Sequence, residues 1–344
     1  MSLASNGRGD GESDGEHEQL TLVDGVREAL RAEMRRDDRV LVLGEDVGKN
    51  GGVFRATGGL YDEFGSARVV DTPLAESGIV GTSIGMATKG LRPVAEMQFM
   101  GFIYPAFDQI VSHAARLRNR SRGRFTCPLV VRAPYGGGIR APEHHSESME
   151  ALFAHQPGLK VVVPSTPRDA YGLLRASIRD PDPVVFLEPK RIYRSFREPV
   201  ALDAEPAELG KATVRREGSD VSVFTYGSMV PEALEAAEMA EEDLGVDVEV
   251  VDLRTLSPLD RESIVASLKR TGRAVVVHEA PLSGGFGGEI VSALQEDGLY
   301  HLEAPIKRVA GFDTPVPLHA LEDFYLPAPV RIAEGIRETV EAEP

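Results

Sequence analysis

The sequence predicts an α/β fold of two successive units, each built on a mostly parallel β-sheet with helices on both faces. Short apolar runs alternate along the chain with longer segments of helical periodicity, which is typical of such sheets. A Pro- and acid-rich stretch at 198–208 interrupts the alternation. A chain of 344 residues is also long for one compact core. We therefore expect a first unit at 20–197, a linker at 198–210 and a second unit at 211–344.

The first unit follows a tail at 1–19, which we expect to be disordered because its Gly, Ser and acidic residues can bury almost nothing. The spacing of apolar residues then predicts a helix at 20–34. Thr72 and Pro73 suit the N-cap and the first position of a later helix. The predicted strands of this unit are 40–43, 69–70, 93–97, 129–131, 161–163 and 184–187, and its further helices are 103–117 and 168–178.

The second unit continues the alternation of strand and helix after the linker. Its predicted strands are 221–225, 246–253 and 274–277, and its predicted helices are 231–244, 261–270 and 288–294. No internal repeat of solenoid length is visible, so the two units are not copies of a short motif.

Composition and charge exclude several classes of protein. The formal net charge of -16 argues against nucleic acid as a main partner, since phosphate binding requires basic patches. No apolar run is long enough to cross a membrane. The N-terminus lacks the basic start and apolar centre of a secretory signal, and the single cysteine, Cys127, cannot form an internal disulfide. We therefore expect a cytoplasmic protein.

Lysine is scarce among the basic residues. It accounts for 7 of the 38, the rest being arginine. A surface kept soluble by carboxylates in a salt-rich cytoplasm explains this balance, because salt screens the repulsion between like charges. A genome that prefers arginine codons explains it equally well, and both explanations stay open.

Two glycine-rich segments resemble phosphate-binding motifs but fail their requirements. The segment at 283–288 lacks the third glycine of a dinucleotide-binding loop, since that position is Ile290, and we expect it to be a tight helix start. The segment Gly-Asp-Gly at 9–11 has no strand before it, so its likeness to a diphosphate–metal motif is coincidental. The sequence thus indicates no phosphate cradle, and it has neither zinc-ligand spacing nor a Gly-x-Ser-x-Gly elbow.

Glu76 and the histidine pair are the candidate chemical groups. An acid in a first helical turn is stabilised by the helix dipole, which is a purely structural explanation for Glu76. The helix after Glu76 has an unusually small face, which indicates that something bulky packs against it. The small residues are Gly78, Gly81, Ser83 and Gly85. His144 and His145 lie in a loop where either could meet a ligand, although solvated loop histidines are the simpler explanation.

Several segments occur in a specific order and spacing. They are GEDVG at 44–48, DTPLAESGIVG at 71–81, AEMQF at 95–99, PAFDQ at 105–109, EHHS at 143–146, HQPGLKVVVP at 155–164, IRDPDP at 178–183 and VDLRTLSPLD at 251–260. From about residue 20 to the end, the chain resembles the β subunit of the thiamine-diphosphate-dependent first component of 2-oxo acid dehydrogenase complexes, of the pyruvate and branched-chain type.

This resemblance implies a pyrimidine-binding domain of thiamine-diphosphate enzymes followed by a transketolase-type C-terminal α/β domain. It implies that an α subunit holds the diphosphate and Mg²⁺ in an α2β2 heterotetramer, and that the chain is active only with that subunit. The implied reaction is oxidative decarboxylation of a 2-oxo acid, with acyl transfer to the lipoyl group of an acyltransferase core. The segments at 136–138 and 164–167 favour pyruvate slightly over branched-chain acids.

The resemblance also implies a site. Glu76 would hydrogen-bond a pyrimidine ring nitrogen and control its tautomer, and His145 would lie near the acyl-transfer step. Phe102 would pack on the pyrimidine, although many relatives have Tyr at this position. Glu45 and Gln98 would line the same site.

A monovalent-cation site, possible for K⁺, is a further implication of the resemblance. Its residues would be Leu129, Ser177, Ile178, Asp180 and Asp182. Carbonyl and carboxylate oxygens suit a hard cation. Asp182 replaces a more usual Asn, and the segment is otherwise explained as an acidic turn.

Three alternatives remain open for the function. The chain is also compatible with the β subunit of an acetoin-cleaving thiamine enzyme, and with a non-catalytic scaffold paralogue. A flavodoxin-like nucleotide binder is the least supported, because the sequence has no phosphate loop.

Overall fold

The computed structural model describes residues 17–342 of the chain, which form two α/β units. The strands of the first unit are β1 (His17–Leu20), β2 (Val40–Gly44), β3 (Val69–Asp71), β4 (Arg92–Glu96), β5 (Val130–Tyr135), β6 (Lys160–Val162), β7 (Val184–Pro189) and β8 (Glu198–Ala201). Its α-helices are α1 (Leu22–Arg36), α2 (Leu60–Phe64), α3 (Glu76–Thr88), α4 (Leu117–Arg120), α5 (Glu150–Ala154) and α6 (Pro167–Arg179).

The second unit follows the same plan. Its strands are β9 (Thr213–Arg216), β10 (Val221–Thr225), β11 (Val248–Asp252), β12 (Thr255–Ser257), β13 (Ala274–Pro281) and β14 (Lys307–Gly311). Its α-helices are α7 (Met229–Leu244), α8 (Arg261–Thr271), α9 (Gly287–Gly298), α10 (Glu322–Tyr325) and α11 (Pro329–Val340). Short 3-10 turns occupy Met100–Phe102, Tyr104–Ala106, Lys190–Ile192 and Leu299–His301.

The first sheet has the strand order β12-β6-β7-β5-β4-β2-β3, and all its pairings are parallel except that of β12 with β6. Helices cover both faces, which is why its strands are continuous apolar runs rather than alternating ones. The helix α1 shows how local sequence sets an element: Thr21 and Asp24 cap each other's backbone amides at its start, and its buried face packs on α6.

The second sheet has the order β14-β13-β10-β11-β9, parallel except for the edge strand β9. One hydrophobic cluster runs from the first sheet into the second and includes Phe153, Leu187, Phe224 and Leu253. Strand β12, which follows the predicted linker, pairs with β6 in the first sheet, so the two units share a core. The predicted linker at 198–210 stays a prediction. No helix among residues 17–342 is both long and apolar enough to span a bilayer.

Two segments differ from the predicted tail and linker. Strand β1 pairs antiparallel with β8, so residues 17–19 belong to a strand rather than to a disordered tail, and residues 198–201 are a strand rather than a linker. The pairing joins residues about 180 positions apart, which local composition cannot reveal. Residues 1–16, with most of the predicted tail and the segment at 9–11, lie outside the described residues, as do residues 343–344.

Two predicted helices are also wrong in their bounds. The helix α3 begins at Glu76 with Ala75 as its N-cap, not at Thr72, because the Thr72 amide donates to the carbonyl of Gly44 at 2.9 Å and prolongs the pairing of β3 with β2. The predicted helix at 103–117 is a 3-10 turn followed by a π-helix, Gln109–Ala114. The segment at 283–288 is the tight helix start that the sequence predicts, since α9 begins at Gly287.

Candidate active site

Glu76 lies at the carboxyl edge of the first sheet, where the loops after β2 and β3 meet. It is the first residue of α3 and only 9% exposed, although Ala75 and Ser77 on either side are exposed. Within residues 17–342 no hydrogen bond or ion pair reaches its carboxylate. A largely buried acid whose carboxylate has no partner is available to bind a group that the described chain does not supply.

Glu45 lies next to Glu76, directly after β2. Burial raises the pKa of Glu45, and the negative charges of Glu76 and Asp46 raise it further. The loop that carries Glu45 is fixed at its end, because the Gly48 amide donates to the carboxylate of Asp71 at 2.6 Å. A raised pKa at Glu45 favours retention of its proton, which suits a site where a proton is transferred.

The structure brings Phe102 and His145 together, as the sequence predicts for two residues of one site. Their ring centroids are 5.0 Å apart, and Phe99 completes the group at 4.4 Å from His145. The contact depends on Gly101, because a Cβ there would lie 1.8 Å from the carbonyl oxygen of His144. Phe99 ends the segment AEMQF at 95–99, but its sequence alone does not indicate a contact with His145.

The His145 ring has a defined orientation. Its Nδ1 lies 2.9 Å from the carbonyl oxygen of Glu143, and a carbonyl only accepts, so Nδ1 donates. The neutral ring then presents an unprotonated Nε2. His145 is half-buried, whereas His144 is exposed and has a positive φ of 67°. The structure therefore favours His145, of the two histidines, for contact with a ligand.

A buried ion-pair network joins the three central strands β4, β5 and β7 of the first sheet. Arg132 is 1% exposed and donates to Glu188 from Nε at 2.6 Å and from the adjacent amino group at 2.8 Å, and it also pairs with Glu96. Burial raises the pKa of Glu96, against the opposing effect of the guanidinium. Gln98, the other predicted lining residue, follows Glu96 and is half-buried. The sequence does not predict this network, because the strand that it predicts ends at residue 131, one residue before Arg132.

The oxygens proposed for a monovalent cation already face cationic side chains. Arg92 donates to the carbonyl oxygens of Ile178 at 2.8 Å and Asp180 at 3.2 Å. Lys160 donates to the Asp180 carboxylate at 2.7 Å, and Arg118 donates to Asp182 at 2.6 Å. Three fixed positive charges oppose a fourth in the same place.

The other two residues of that set are also committed to the protein. The carbonyl oxygen of Leu129 accepts from the Val184 amide at 2.9 Å, and that of Ser177 accepts from the Asp180 amide at 3.3 Å. These contacts weigh against a cation in this arrangement, and the monovalent-cation site stays a prediction. No group of three or more His, Cys, Asp or Glu side chains that suits a metal occurs within residues 17–342.

The candidate site is open rather than enclosed. Leu74 and Tyr104, which flank the segments carrying Glu76 and Phe102, are 79% and 50% exposed. Cavities of about 640 and 720 Å³ lie elsewhere, and neither Glu76 nor His145 lines them. Exposed apolar side chains around an unpartnered buried carboxylate are typical of a surface that another protein covers.

Comparison with known proteins decides the family. The model described as "Transketolase, pyrimidine binding domain" matches residues 18–195, and that described as "Transketolase, C-terminal domain" matches residues 210–332. The chain is 52% identical over 323 residues to the pyruvate dehydrogenase E1 component subunit beta of Bacillus subtilis (strain 168). This alignment covers 94% of this chain and 99% of the relative. The chain belongs to the family of pyruvate dehydrogenase E1 β subunits.

Other relatives agree with this assignment. The chain is similar to the β subunits of Acholeplasma laidlawii and Staphylococcus aureus, with 51% identity and 94% of this chain covered in each case. A solved structure described as "Split gene transketolase, inactive beta4 tetramer" superposes with a TM-score of 0.77 at 24% identity, covering 95% of this chain and 100% of that chain. At that identity the likeness shows the fold alone. The chain is thus an enzyme subunit of thiamine-diphosphate-dependent oxidative decarboxylation with the predicted two-domain α/β fold.

Proposed function

We propose that this chain, assembled with an α subunit as an α2β2 heterotetramer, decarboxylates pyruvate and passes the acetyl group to the lipoyl group of an acyltransferase core. The proposal rests on one observation. Glu76 is a buried residue whose carboxylate has no partner among residues 17–342, and exposed apolar side chains lie around it. The relatives named as pyruvate dehydrogenase subunits support pyruvate over branched-chain acids.

In this proposal the chain supplies the aminopyrimidine side of the cofactor site. Thiamine diphosphate, when bound, supplies the carbon nucleophile and the electron sink for decarboxylation. Glu76 would hold a proton at the pyrimidine ring nitrogen, and Phe102 would pack on the ring, without the hydroxyl that a Tyr would add. Glu45 would keep negative charge beside Glu76, and Gln98 would line the same side.

His145 is proposed to act at the acyl-transfer step. Its unprotonated Nε2 is free to accept a proton or a hydrogen bond, because Nδ1 is committed to the Glu143 carbonyl. The two neighbouring phenylalanine rings hold the imidazole and limit the access of water to one side of it. Such a fixed, partly shielded base suits a step in which a thiol or hydroxyl proton must move.

The diphosphate and Mg²⁺ are assigned to the α subunit. The segment at 283–288 does not form a cradle, since Gly285 and Gly287 pack against the ring of His278, where a Cβ on either would lie 2.6 Å from a ring atom. A cytoplasmic location is part of the proposal, and the buried, unpaired thiol of Cys127 is compatible with it.

The first test is co-expression with an α subunit that carries a diphosphate–metal motif. The complex is expected to decarboxylate pyruvate only with thiamine diphosphate present, and the β chain alone is expected to be inactive. A panel of pyruvate, branched-chain 2-oxo acids and acetoin separates the substrates, and preference for acetoin would identify the alternative enzyme. Failure to bind the cofactor with every α subunit would support a scaffold instead.

The second test is Glu76→Gln in that complex, with Glu289→Gln as the matched control. Both acids lie in the first turn of a helix and experience the same dipole, but Glu289 is exposed. We expect Glu76→Gln to lower kcat by at least about 100-fold, since a positioned proton-transfer group contributes about that much or more. Glu289→Gln is expected to leave kcat unchanged. Full activity in Glu76→Gln would refute the role proposed for this residue.

A further inference from the structure

The loop at 136–149, which carries His145, is held at its start by the second unit. The Gly137 amide donates to the Glu279 carboxylate at 3.3 Å, and the Gly138 amide donates to the Glu322 carboxylate at 2.6 Å. Glu279 belongs to β13 and Glu322 begins α10, so both acceptors come from the other side of the interface between the units. The Gly136 amide closes the loop by donating to the carbonyl of Glu147 at 2.9 Å.

Glycine is required where this loop leaves β5. Gly136 and Gly138 have φ values of 83° and 90°, which other residues rarely adopt. A Cβ on Gly136 would lie 2.0 Å from Oε1 of Glu279, and one on Gly138 would lie 2.4 Å from Cδ of Arg191. At Gly136 the backbone of the loop therefore lies directly against the second unit, whereas at Gly138 it lies against Arg191 of the first unit.

The acceptors belong to a buried cluster of charges. Glu279 is 2% exposed, Glu322 is 1% exposed and Lys190 is 3% exposed. Among the described residues the Lys190 ammonium has no hydrogen-bond partner, and each of the two carboxylates has one oxygen without a partner. Burial raises the pKa of Glu279, while the Lys190 charge, the Gly137 amide and the Ser148 hydroxyl oppose the rise. Ser148 lies near the end of the loop, so a group from that end also affects the pKa of Glu279.

Buried charges with unsatisfied atoms contribute little to stability, because desolvation offsets their attraction. Such a cluster is better explained by the geometry that it imposes. His145 itself contacts only residues of the first unit, and its ring has no hydrogen bond to the second unit. The amides at Gly137 and Gly138 thus make the backbone hydrogen bonds from the start of the His145 loop to the second unit, and the Arg140–Asp323 pair that also joins them is exposed.

We propose that Glu279 and Glu322 are positioning residues that hold the loop at 136–149, and with it His145, in the arrangement needed for acyl transfer. The inference rests on the proposed function for its catalytic consequence, but not for its structural part. It assigns the C-terminal unit a direct part in the chemistry of a site whose predicted residues all lie in the first unit.

Hydrogen exchange in the assembled α2β2 complex tests the structural part. In Glu279→Ala and Glu322→Ala we expect the amides of peptides covering 136–149 to exchange at least about tenfold faster than in the wild type. The exchange rate in Glu279→Gln is expected to lie between those of the wild type and Glu279→Ala, because the glutamine amide oxygen still accepts from Gly137. Where an alanine variant fails to assemble, Glu279→Gln and Glu322→Gln are measured in its place.

Asp323→Asn is the matched control. Asp323 follows Glu322 in α10 and pairs with Arg140 of the same loop at 2.8 Å, but both side chains are exposed. An exposed pair is expected to hold the loop weakly, so exchange in Asp323→Asn should match the wild type. Unchanged exchange in the Glu279 and Glu322 variants, or an equal increase in Asp323→Asn, would overturn the inference.

A double-mutant cycle with His145→Ala tests the catalytic part. Acyl transfer to a lipoyl domain is compared with decarboxylation measured by an artificial electron acceptor. We expect Glu279→Gln to lower the kcat of transfer several-fold, to affect decarboxylation less, and to add nothing in the His145→Ala background. If the fold-losses in transfer from Glu279→Gln and His145→Ala multiply in the double variant, the role of Glu279 is merely structural and the catalytic part is overturned.

A His145→Ala variant with unchanged acyl transfer would have a different meaning. It would refute the role of His145 in the proposed function and the catalytic part of this inference together. The exchange measurement would still decide whether Glu279 and Glu322 hold the loop, because that readout does not depend on activity.

Discussion

Glu150 allows a prediction about stability with a definite sign. This carboxyl begins α5, is fully buried, and accepts a hydrogen bond at 2.7 Å from Tyr226 of the second unit. Burial raises the pKa of Glu150 from 4.5 to about 7, although the Tyr226 hydroxyl opposes the rise. Its second oxygen has no partner among residues 17–342. The folded protein therefore holds a proton on Glu150 that the unfolded chain releases at lower pH.

The direction of the pH effect follows from that difference. Between pH 4.5 and about 7 the folded state binds more protons than the unfolded state, so the free energy of unfolding falls as pH rises through this window. Below the window the carboxyl is neutral in both states, and above it the carboxylate is charged in both. At about 1.4 kcal/mol per pKa unit, the full loss is on the order of 3 kcal/mol by pH 8.

The variant Glu150→Gln removes this penalty while keeping an oxygen that accepts from Tyr226. We expect its thermal midpoint to equal that of the wild type below the window, at about pH 4, and to exceed it by several degrees at pH 8. The assay is the difference in thermal midpoint between variant and wild type, measured in the assembled complex at half-unit steps of pH. The exposed Glu238, replaced by Gln, serves as the control and should give a flat difference.

A third variant tests the cause of the shift. Tyr226→Phe removes the hydrogen bond that stabilises the charged form of Glu150, so the window should move to higher pH. The reasoning is refuted if Glu150→Gln is less stable than the wild type at pH 8, or if its difference does not vary with pH.

Two further predictions concern buried contacts. Arg132→Met is expected to destabilise the chain by about 3–5 kcal/mol, because it leaves buried carboxylates without their counter-charge. Adding Glu188→Gln should restore part of the lost stability. The thermal midpoint measures both effects. Gly136→Ala and Gly123→Ala both place a Cβ at a positive φ, but only the first meets another group, the Glu279 carboxylate. We expect about 1 kcal/mol of destabilisation for Gly123→Ala and a larger one for Gly136→Ala, with equal midpoints contradicting the assigned clash.

Where the sequence predicts the fold correctly, the signal is local. Strand β2 is an apolar run buried on both faces, and α1 combines an amphipathic stripe with Thr21 at its N-cap, so composition and spacing suffice. The start of α3 is predicted wrongly, because Thr72 is a good N-cap by type. Its amide is instead committed to Gly44, a residue on a different strand that the local sequence does not reveal.

In the candidate site, too, residues with a local sequence signal are predicted and residues that depend on distant partners are not. Glu76 and His145 are predicted, because each lies in a short segment that carries the resemblance to a family. Arg132 is missed, because a charged residue inside a buried strand is expected only once its two carboxylate partners are known to lie beside it. Glu279 is missed for the same reason, since its partner amides at the start of the His145 loop are more than a hundred residues away in sequence.

The energetics of Glu76 connect the fold with the need for a partner. The residue is only 9% exposed, the acid of Glu45 lies beside it, and within residues 17–342 its carboxylate has no hydrogen-bond or ion-pair partner. A hydrogen-bond donor from outside the described chain would satisfy this carboxylate. The exposed Leu74 beside it extends the argument from a missing cofactor to a missing subunit, since an apolar side chain at the rim gains free energy only when another protein covers it.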